Sequence, residues 1–197
     1  MKLYYAPGAC SLATHIALAE SETPYDLDRV DFGTRKTESG SDFSAVTPKG
    51  KVPALQMDNG EVLTENATIL GYIADTSGKL APSSSSPERL RLQEWLNFIA
   101  TELHKGFSPL FNKAMPDEAK QIFRDNLSKQ FNYVESRIGE DYVAGKAFTI
   151  ADGYLYTMLR WAKATGVSVG PNLTAYFARV GSRKGVQRAL QEEGLTA

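Results

Sequence analysis

The stretch MKLYYAPGACSLATHIALAE (residues 1–20) decides the fold. Lys2–Ala6 carries a leucine and two tyrosines, a composition typical of a short strand. Pro7-Gly8 then breaks the strand, and the apolar spacing in Ser11–Glu20 predicts a short helix with one buried side. Cys10, the only cysteine among 197 residues, lies where the predicted strand passes into the predicted helix.

The rest of residues 1–77 alternates strand and helix signals in the order β-α-β-(α)-β-β-α, which predicts a mixed sheet with helices. Asn59-Gly60 lies between two apolar runs and indicates a hairpin, because a type I′ turn needs positive φ at both central residues. Residues 33–51 are polar and favour a loop or a weak helix. The other predicted elements are strands at Leu27–Phe32, Val52–Asp58 and Glu61–Thr64 and a helix at Ala67–Ala74.

A serine- and proline-rich segment, SGKLAPSSSSP (77–87), separates this half from one that is helical throughout. Pro87 suits a first helical turn, and Thr149 with Asp152 has the spacing of a capping box. We therefore predict an α/β domain at 1–77, a linker at 78–86 and an all-α helical domain at 87–197. Its predicted helices cover 88–108, 117–138 with Gly139 as the terminator, a segment starting at Thr149, and 173–192.

The composition is that of an ordinary globular protein, with 42% hydrophobic and 23% charged residues. A formal net charge of −1 provides no basic field for nucleic acid. No apolar run approaches the roughly 20 residues of a membrane span, and the N-terminus lacks the features of a signal peptide. A single cysteine excludes an intrachain disulfide, so we expect a cytoplasmic protein, although a disulfide-free exported protein has the same composition. We predict no metal site and no bound cofactor.

Cys10 occupies a position at which thiols become reactive. The unpaired N–H groups and the positive dipole end of a helix N-terminus lower a thiol pKa below its free value of about 8.5. Ser11 adds a neighbouring hydroxyl. The alternative is that Cys10 is a small buried hydrophobe, as most free cysteines are. Residue 13 is alanine, so a CxxC dithiol cycle is excluded and any disulfide must involve a partner molecule.

Val52-Pro53 stands at the start of the third predicted strand. Proline cannot donate to a sheet ladder, so this position is an edge or a special site. Beside Cys10, the backbone N–H and C=O of Val52 are suited to pairing with a peptide-like ligand. The alternative is an ordinary proline at a strand start.

Five motifs together resemble the glutathione S-transferases, specifically the bacterial beta class. They are YYAPGACS (4–11), TPKGKVPAL (47–55), LTE (63–65), EWLNFIATELHKGFSPLF (94–111) and FTIADGYLY (148–156). The resemblance runs in the same order from residue 1 to about residue 195. It implies a thioredoxin-like N-terminal domain, a helical C-terminal domain and a homodimer. It also implies that Cys10 contacts the glutathione sulfur, that Cys10 can hold glutathione as a mixed disulfide, and that Pro53 is cis.

The resemblance assigns further residues to the two ends of glutathione. Glu65 meets the ammonium of the γ-glutamyl end, and Asn66, where many relatives have serine, meets the adjacent carboxylate at a helix start. Val52 pairs with the cysteinyl backbone. The glycyl carboxylate needs a cation, which is Arg35 or the neighbouring Lys36; for both, a solvated surface position is the alternative.

Helical spacing puts Asn97, Thr101 and His104 on one polar face of the helix at 88–108. By resemblance this face covers the glutathione thiol, with Asn97 and His104 touching the ligand. A lone helical histidine is otherwise usually a surface residue. His15 is expected to pack locally, and Asp152 to cap its helix rather than to act in catalysis.

The resemblance implies an enzyme that conjugates glutathione to small hydrophobic electrophiles, with Cys10, Ser11 and His104 polarising the glutathione sulfur. Cys10 also suits a thiol-transferase activity. A second hypothesis is a glutathione-dependent disulfide or dehalogenating reductase in which Cys10 exchanges with the substrate. A third, from another class, is a non-catalytic binding or regulatory member of the fold. The electrophile itself is not identified by the sequence.

Overall fold

A computed structural model describes residues 1–138 and 141–196. These residues form two compact units, Met1–Leu80 together with the chain from Arg183 onward, and Ala81–Ser182. The first unit thus includes the C-terminal segment that the sequence assigned to the helical domain. Gly139, the predicted terminator of the helix at 117–138, lies outside the described residues.

The first unit has the predicted thioredoxin-like α/β organisation, built on a five-stranded sheet in the order β3-β2-β1-β4-β5. Strand β1 is parallel to β2, and the other neighbours are antiparallel. Its strands are β1 (Lys2–Tyr5), β2 (Asp26–Asp31), β3 (Lys36–Thr37), β4 (Ala54–Gln56) and β5 (Val62–Thr64). Its helices in the first 80 residues are α1 (Ser11–Ser21), α2 (Phe43–Val46) and α3 (Asn66–Ser77).

Burial explains why the first twenty residues organise this unit. β1 is the central strand, with Leu3 fully buried, and α1 buries nearly all of its residues, including Leu12 and Ile16. α1 packs against both β1 and α3. Because the strand and the helix are both enclosed, the short loop between them, which carries Cys10, is held at both ends.

The predicted hairpin is present between β4 and β5, but its turn is of a different type. Of the two central residues only Gly60 has positive φ, at +87°. The Gly60 N–H donates to the Met57 carbonyl at 2.9 Å, and the Met57 N–H donates to the Glu61 carbonyl at 2.8 Å. These bonds fit a longer loop that ends in a glycine bulge, so a single positive φ is enough.

Two short elements, β3 and α2, lie in the segment 33–51 for which the sequence favoured a loop or a weak helix. β3 pairs with the edge of β2 over only two residues. α2 starts at Asp42, whose side chain accepts a hydrogen bond from the Ser44 N–H at 2.8 Å. Elements this short carry too little hydrophobic periodicity to be recognised in a sequence.

The second unit is helical, as predicted, with one change in its first long helix. The segment predicted as a single helix at 88–108 changes its hydrogen-bonding pattern twice. Its parts are α4 (Pro87–Phe98), a π-helical segment (Ile99–His104) and a 3₁₀ turn (Lys105–Phe107). The other helices are α5 (Asp117–Arg137), α6 (Ile150–Thr165) and α7 (Pro171–Gly181).

The helix predicted at 173–192 is in fact two helices, α7 and α8 (Lys184–Glu192). Arg183 between them has extended backbone angles, φ −69° and ψ 141°, which end one helix before the next begins. Its guanidinium Nε donates to Glu20 Oε2 of α1 at 3.1 Å. α8 also packs along α1, which is why the C-terminal segment belongs to the first unit.

Two predicted helix starts of the second unit, those of α4 and α6, are confirmed by capping contacts. Ser86 accepts a hydrogen bond from the Arg89 N–H at 3.2 Å, and Pro87 occupies the first helical turn. Asp152 is fully buried and accepts from the Thr149 N–H at 2.7 Å. Asp152 therefore holds the start of α6, as the capping-box spacing indicates.

Two features, a membrane-spanning helix and a metal-binding cluster, are absent from the described residues. No helix within residues 1–138 and 141–196 combines the length and apolarity that crossing a membrane requires. The same residues contain no group of three or more histidine, cysteine, aspartate or glutamate side chains arranged to hold a metal ion.

Candidate active site

Cys10 is the residue that precedes α1, and its side chain meets the segment that leads into β4. The Cys10 thiol donates to the Val52 carbonyl oxygen across 3.2 Å. The Val52-Pro53 peptide bond is cis, as the resemblance implied. The structure therefore brings together the thiol and the backbone group that the sequence singled out separately.

The thiol is not acidic in this structure, contrary to the sequence interpretation. Burial raises the pKa of Cys10 to about 12, outweighing the backbone N–H groups of Cys10 and Ser11, which lower it. The negative charge of Glu65 adds to the increase. At neutral pH Cys10 is thus a protonated hydrogen-bond donor. The free-energy cost of removing water from a thiolate exceeds the stabilisation that the N–H groups at the helix start provide.

Ser11, predicted to polarise a ligand sulfur, has a different role. Its side chain is fully buried, and its hydroxyl lies 3.2 Å from both the N–H and the carbonyl oxygen of Ala6. Both capacities of the hydroxyl are thereby used within the strand-to-helix loop. This corrects the expectation of a contact with a ligand: Ser11 fixes the loop that presents Cys10.

Glu65 immediately precedes α3 and has an unusual backbone, with φ +72° and ψ 117°. Few non-glycine residues adopt positive φ, so the chain holds Glu65 there against a conformational cost. Its carboxylate Oε1 lies 2.6 Å from the ammonium of Lys49, which also donates to the Thr64 hydroxyl at 3.0 Å. An ammonium group is therefore already paired with the carboxylate predicted to bind one.

Asn66 starts α3 and is buried, and its side chain makes two contacts within the protein. Its amide Nδ2 donates to the Cys10 carbonyl at 2.8 Å, and its Oδ1 accepts from the Thr14 hydroxyl at 2.7 Å. The expectation that this amide binds a ligand carboxylate is therefore not met by its contacts. The side chain instead links the start of α3 to the start of α1, so Glu65 and Cys10 are positioned by one buried bridge.

Arg35 and Lys36, between which the sequence could not choose, face different surroundings. Arg35 has φ +61°, and its Nη1 donates to the Gly50 carbonyl at 3.2 Å, in the loop that leads to Val52. Lys36 lies on β3 and lines a groove of about 660 Å³ with Arg29 and Phe32 among its neighbours. Of these two cations, Arg35 is therefore the one bonded to the loop before Val52.

The remaining predicted residues belong to the second unit. The Asn97 and Thr101 side chains are exposed, and the Thr101 hydroxyl donates to the Asn97 carbonyl at 3.1 Å. His104 is half-buried, with Nδ1 at 2.6 Å from the Tyr154 hydroxyl and its ring centroid 5.2 Å from that of Trp161. The π-helical segment breaks the α-helical spacing that placed these three residues on one face, because its bonds span five residues.

Sequence reasoning missed three residues that shape these groups, namely Lys49, Thr14 and Tyr154. Lys49 stands within the TPKGKVPAL motif, and Thr14 lies one helical turn after Cys10. The sequence therefore locates both residues near the site but indicates no function for either. Tyr154 is almost fully buried in the FTIADGYLY motif. Contacts such as Lys49–Glu65 join residues far apart in the chain, and no local pattern indicates them.

Two family models match the chain. The glutathione S-transferase N-terminal domain matches residues 1–75, and the glutathione S-transferase C-terminal domain matches residues 98–184. Together they include every predicted site residue except Asn97.

Characterised relatives are similar along the whole chain. The glutathione S-transferase GstA of Escherichia coli O157:H7 is 46% identical over 99% of this chain and 100% of its own length. The glutathione S-transferase GST-4.5 of Xanthomonas campestris pv. campestris is 38% identical over 99% of this chain and 100% of its own length.

Solved structures agree with this assignment. A bacterial beta-class glutathione S-transferase from Sphingomonas chungbukensis superposes with a TM-score of 0.93 at 45% identity, with full coverage of both chains. A sphingomonad glutathione S-transferase complexed with glutathione gives 0.93 at 46% identity, again with full coverage. With both domain models matched and the fold shared throughout, this chain belongs to the glutathione S-transferase family and is similar to its bacterial beta class.

Proposed function

We propose that the protein conjugates glutathione to small hydrophobic electrophiles. The observation that carries this proposal is the grouping within one unit of the Cys10 thiol, the Val52 backbone and Glu65. Glutathione is a peptide-like thiol that carries one ammonium group and two carboxylates, so each of these features has a counterpart on the ligand.

The γ-glutamyl end fits the start of α3. The Glu65 carboxylate already binds an ammonium group, that of Lys49, at 2.6 Å. The neighbouring α-carboxylate suits the N–H groups of the first turn of α3, which begins at Asn66. Since the Asn66 side chain is bonded to Cys10 and Thr14, we assign this contact to the Asn66 backbone.

The other end of glutathione fits the loop before β4. The Val52 backbone pairs with the cysteinyl residue of the ligand, and of the two predicted cations Arg35 is the one bonded to this loop, through the Gly50 carbonyl. We therefore assign the glycyl carboxylate to Arg35 in preference to Lys36.

Cys10 acts in this proposal as a hydrogen-bond donor. With its pKa raised to about 12, the thiol keeps its proton and can turn from the Val52 carbonyl towards the glutathione sulfur. In conjugation the glutathione thiol first loses its proton to solvent or buffer base. The sulfur electron pair then forms a bond to an electrophilic carbon, from which a leaving group departs with its bonding electrons. A donor beside the sulfur stabilises the thiolate before this attack.

His104 is proposed as the second group at the sulfur, on the strength of the resemblance. Its Nδ1 lies 2.6 Å from the Tyr154 hydroxyl, a contact that orients the imidazole ring. The contacts of Asn97 and Thr101 with glutathione, like the homodimer and the cytoplasmic location, remain predictions of the same kind.

A thiol-transferase or reductase activity through Cys10 is the second candidate. A single partly buried cysteine at a helix start favours it, whereas the raised thiol pKa opposes it, because the thiolate is the attacking species. A purely structural role gives no reason to group a thiol, a peptide-pairing backbone and a carboxylate.

The test is activity of the purified protein against halogenated aromatics, peroxides and glutathione mixed disulfides, each with glutathione as co-substrate. Conjugation of at least one halogenated aromatic is expected. Turnover of mixed disulfides alone would favour the reductase, and no glutathione-dependent turnover with any class would overturn both enzymatic functions.

A further inference from the structure

The loop at residues 47–51 contacts both charged groups that the proposed function assigns to the ends of glutathione. At one side Lys49 pairs with Glu65 at 2.6 Å and with the Thr64 hydroxyl at 3.0 Å. At the other side the Gly50 carbonyl accepts from Arg35 Nη1 at 3.2 Å. The loop thus supplies a partner to each ligand-binding charge from within the chain.

We infer that Lys49 is a tethered competitor of glutathione, whose ammonium holds the Glu65 carboxylate until the γ-glutamyl ammonium replaces it. This inference rests on the proposed function and adds a residue that sets the affinity and selectivity of the γ-glutamyl site. The two cations are chemically alike, since each is a primary ammonium with three donors. They need the same carboxylate, and two cations held at one carboxylate repel each other.

The geometry of Glu65 makes the competition direct. Glu65 directly precedes the first turn of α3, and the buried Asn66 bridge to Cys10 and Thr14 fixes the backbone beside it. The carboxylate is therefore presented from a fixed point, whereas the Lys49 side chain is half-exposed on a flexible four-carbon stem. The lysine is the partner that can move away.

Displacement of Lys49 has a consequence for selectivity. A ligand that lacks the γ-glutamyl ammonium leaves the Lys49–Glu65 ion pair intact. Its binding therefore carries no free-energy cost for breaking that pair. Glutathione gains its own ion pair but breaks the existing one. Lys49 therefore reduces the preference of the protein for a free amino group on the ligand.

The experiment is calorimetric titration of the full chain with glutathione and with its deaminated analogue, in which CH2 replaces the ammonium-bearing carbon. The variants are Lys49→Met, which removes the charge, and Lys49→Arg, which keeps it. Lys79→Met is the matched control, because Lys79 pairs with Glu22 at 2.7 Å and has nearly the same exposure, 49% against 50% for Lys49.

We expect Lys49→Met to bind glutathione about two- to five-fold more tightly than wild type, the range of an exposed ion pair. The affinity of this variant for the deaminated analogue should stay constant or fall. The dissociation constant of the analogue divided by that of glutathione should therefore rise by at least the same factor. Lys49→Arg and Lys79→Met should match wild type. A thermal melt and a circular dichroism spectrum of each variant establish that it is folded.

Three results would overturn the inference. Equal glutathione affinity in Lys49→Met and wild type means that Lys49 does not compete. Weaker binding by Lys49→Met means that Lys49 touches the ligand, most simply its α-carboxylate. An equal gain in Lys79→Met means that net charge alone is responsible. Failure of wild type and every variant to bind glutathione would instead contradict the proposed function.

Discussion

At the residue scale, the contact of Cys10 with Val52 decides what the thiol can do. A helix start lowers a thiol pKa, whereas burial in apolar surroundings raises it. Here the thiol keeps its proton and donates it to the Val52 carbonyl oxygen at 3.2 Å. Burial outweighs the backbone N–H groups of Cys10 and Ser11, the negative charge of Glu65 adds to the increase, and the pKa of the thiol rises to about 12.

The first prediction concerns this titration. Because the thiol pKa is raised, the rate of Cys10 alkylation by iodoacetamide should keep increasing with pH beyond 9, without the plateau that an acidic thiol shows. The measurement is the alkylation rate from pH 6 to pH 10, followed by mass spectrometry of the single cysteine. A plateau below about 8.5, the free-cysteine value, would restore the acidic thiol expected from the sequence.

Glu65 carries the second prediction at this scale. It meets a fixed ammonium that does not change during the reaction, so its contribution is equal in the ground state and the transition state. Glu65→Gln should raise KM for glutathione about two- to five-fold, the range of an exposed ion pair, and leave kcat nearly unchanged, because the substitution weakens the competing Lys49 pair as well as the pair with the ligand. The substitution retains the side-chain shape at a position with φ +72°.

Steady-state kinetics at saturating electrophile would check this result, with Glu22→Gln as the control. Glu22 forms a similar exposed lysine pair elsewhere in the first unit. A fall in kcat with unchanged KM would mean that Glu65 acts on the reacting sulfur and not on the γ-glutamyl end.

At the element scale, α8 and the residue after it are joined to α1 by hydrogen bonds centred on His15. The imidazole is fully buried, with Nε2 at 2.7 Å from Glu192 and Nδ1 at 3.0 Å from Glu193. Glu193 also accepts from the Gly8 N–H at 2.8 Å, in the loop that carries Cys10. The expectation that His15 caps or packs locally is therefore wrong, because its hydrogen-bond partners come from the far end of the chain.

The third prediction tests these hydrogen bonds by their pH dependence. Burial raises the pKa of Glu192, but hydrogen bonds from Tyr25, Arg188 and His15 outweigh burial and lower it to about 2. A lowered carboxyl pKa stabilises the fold above its unfolded value, 4.5, and this stability is lost as pH falls towards 2. Glu192→Gln, which cannot titrate, should therefore melt about 2–8 °C below wild type at pH 7, equivalent to about 1–2 kcal/mol.

Thermal melts at several pH values between 7 and 3 measure this difference, which should shrink steadily below pH 4.5. Glu94→Gln is the control, since Glu94 forms only an exposed pair with Arg91 in α4. A difference in melting temperature that is independent of pH would show that Glu192 contributes by packing and not through its charge.

Elements with strong local signals could be predicted from the sequence, and those set by distant contacts could not. Cys10 before α1, Glu65 before α3 and Thr149 before α6 were located because turn and cap chemistry is local. The Ser11 hydroxyl was misassigned because its partner is the backbone of the preceding strand. The break at Arg183 was missed, and the side chain of this residue bonds Glu20, 163 residues away, a contact that no local pattern indicates.

At the scale of the whole molecule, the two compact units correspond to the two family domains, with the C-terminal helix returned to the first unit. Most of the groups assigned to glutathione binding lie in the first unit. Among them, Cys10 is the group whose role differs between conjugation and disulfide exchange. Cys10 is the only thiol of the chain. One substitution therefore separates the two enzymatic functions proposed for the chain.

The last prediction compares two rates in one variant, Cys10→Ala. In conjugation the nucleophile is the glutathione sulfur, so the variant loses one hydrogen-bond donor, typically about 0.5–1.5 kcal/mol, or roughly 2- to 13-fold in rate. In disulfide exchange Cys10 is the attacking atom, and no neighbour replaces a covalent nucleophile. We expect conjugation of a halogenated aromatic to be reduced but present, and any thiol-transferase turnover to be abolished. Both rates would be measured on the same preparations of wild type and variant, with thermal melts to verify folding. Retained thiol-transferase activity would exclude Cys10 as the nucleophile, and complete loss of conjugation would mean that Cys10 contributes more than a hydrogen bond to the glutathione thiolate.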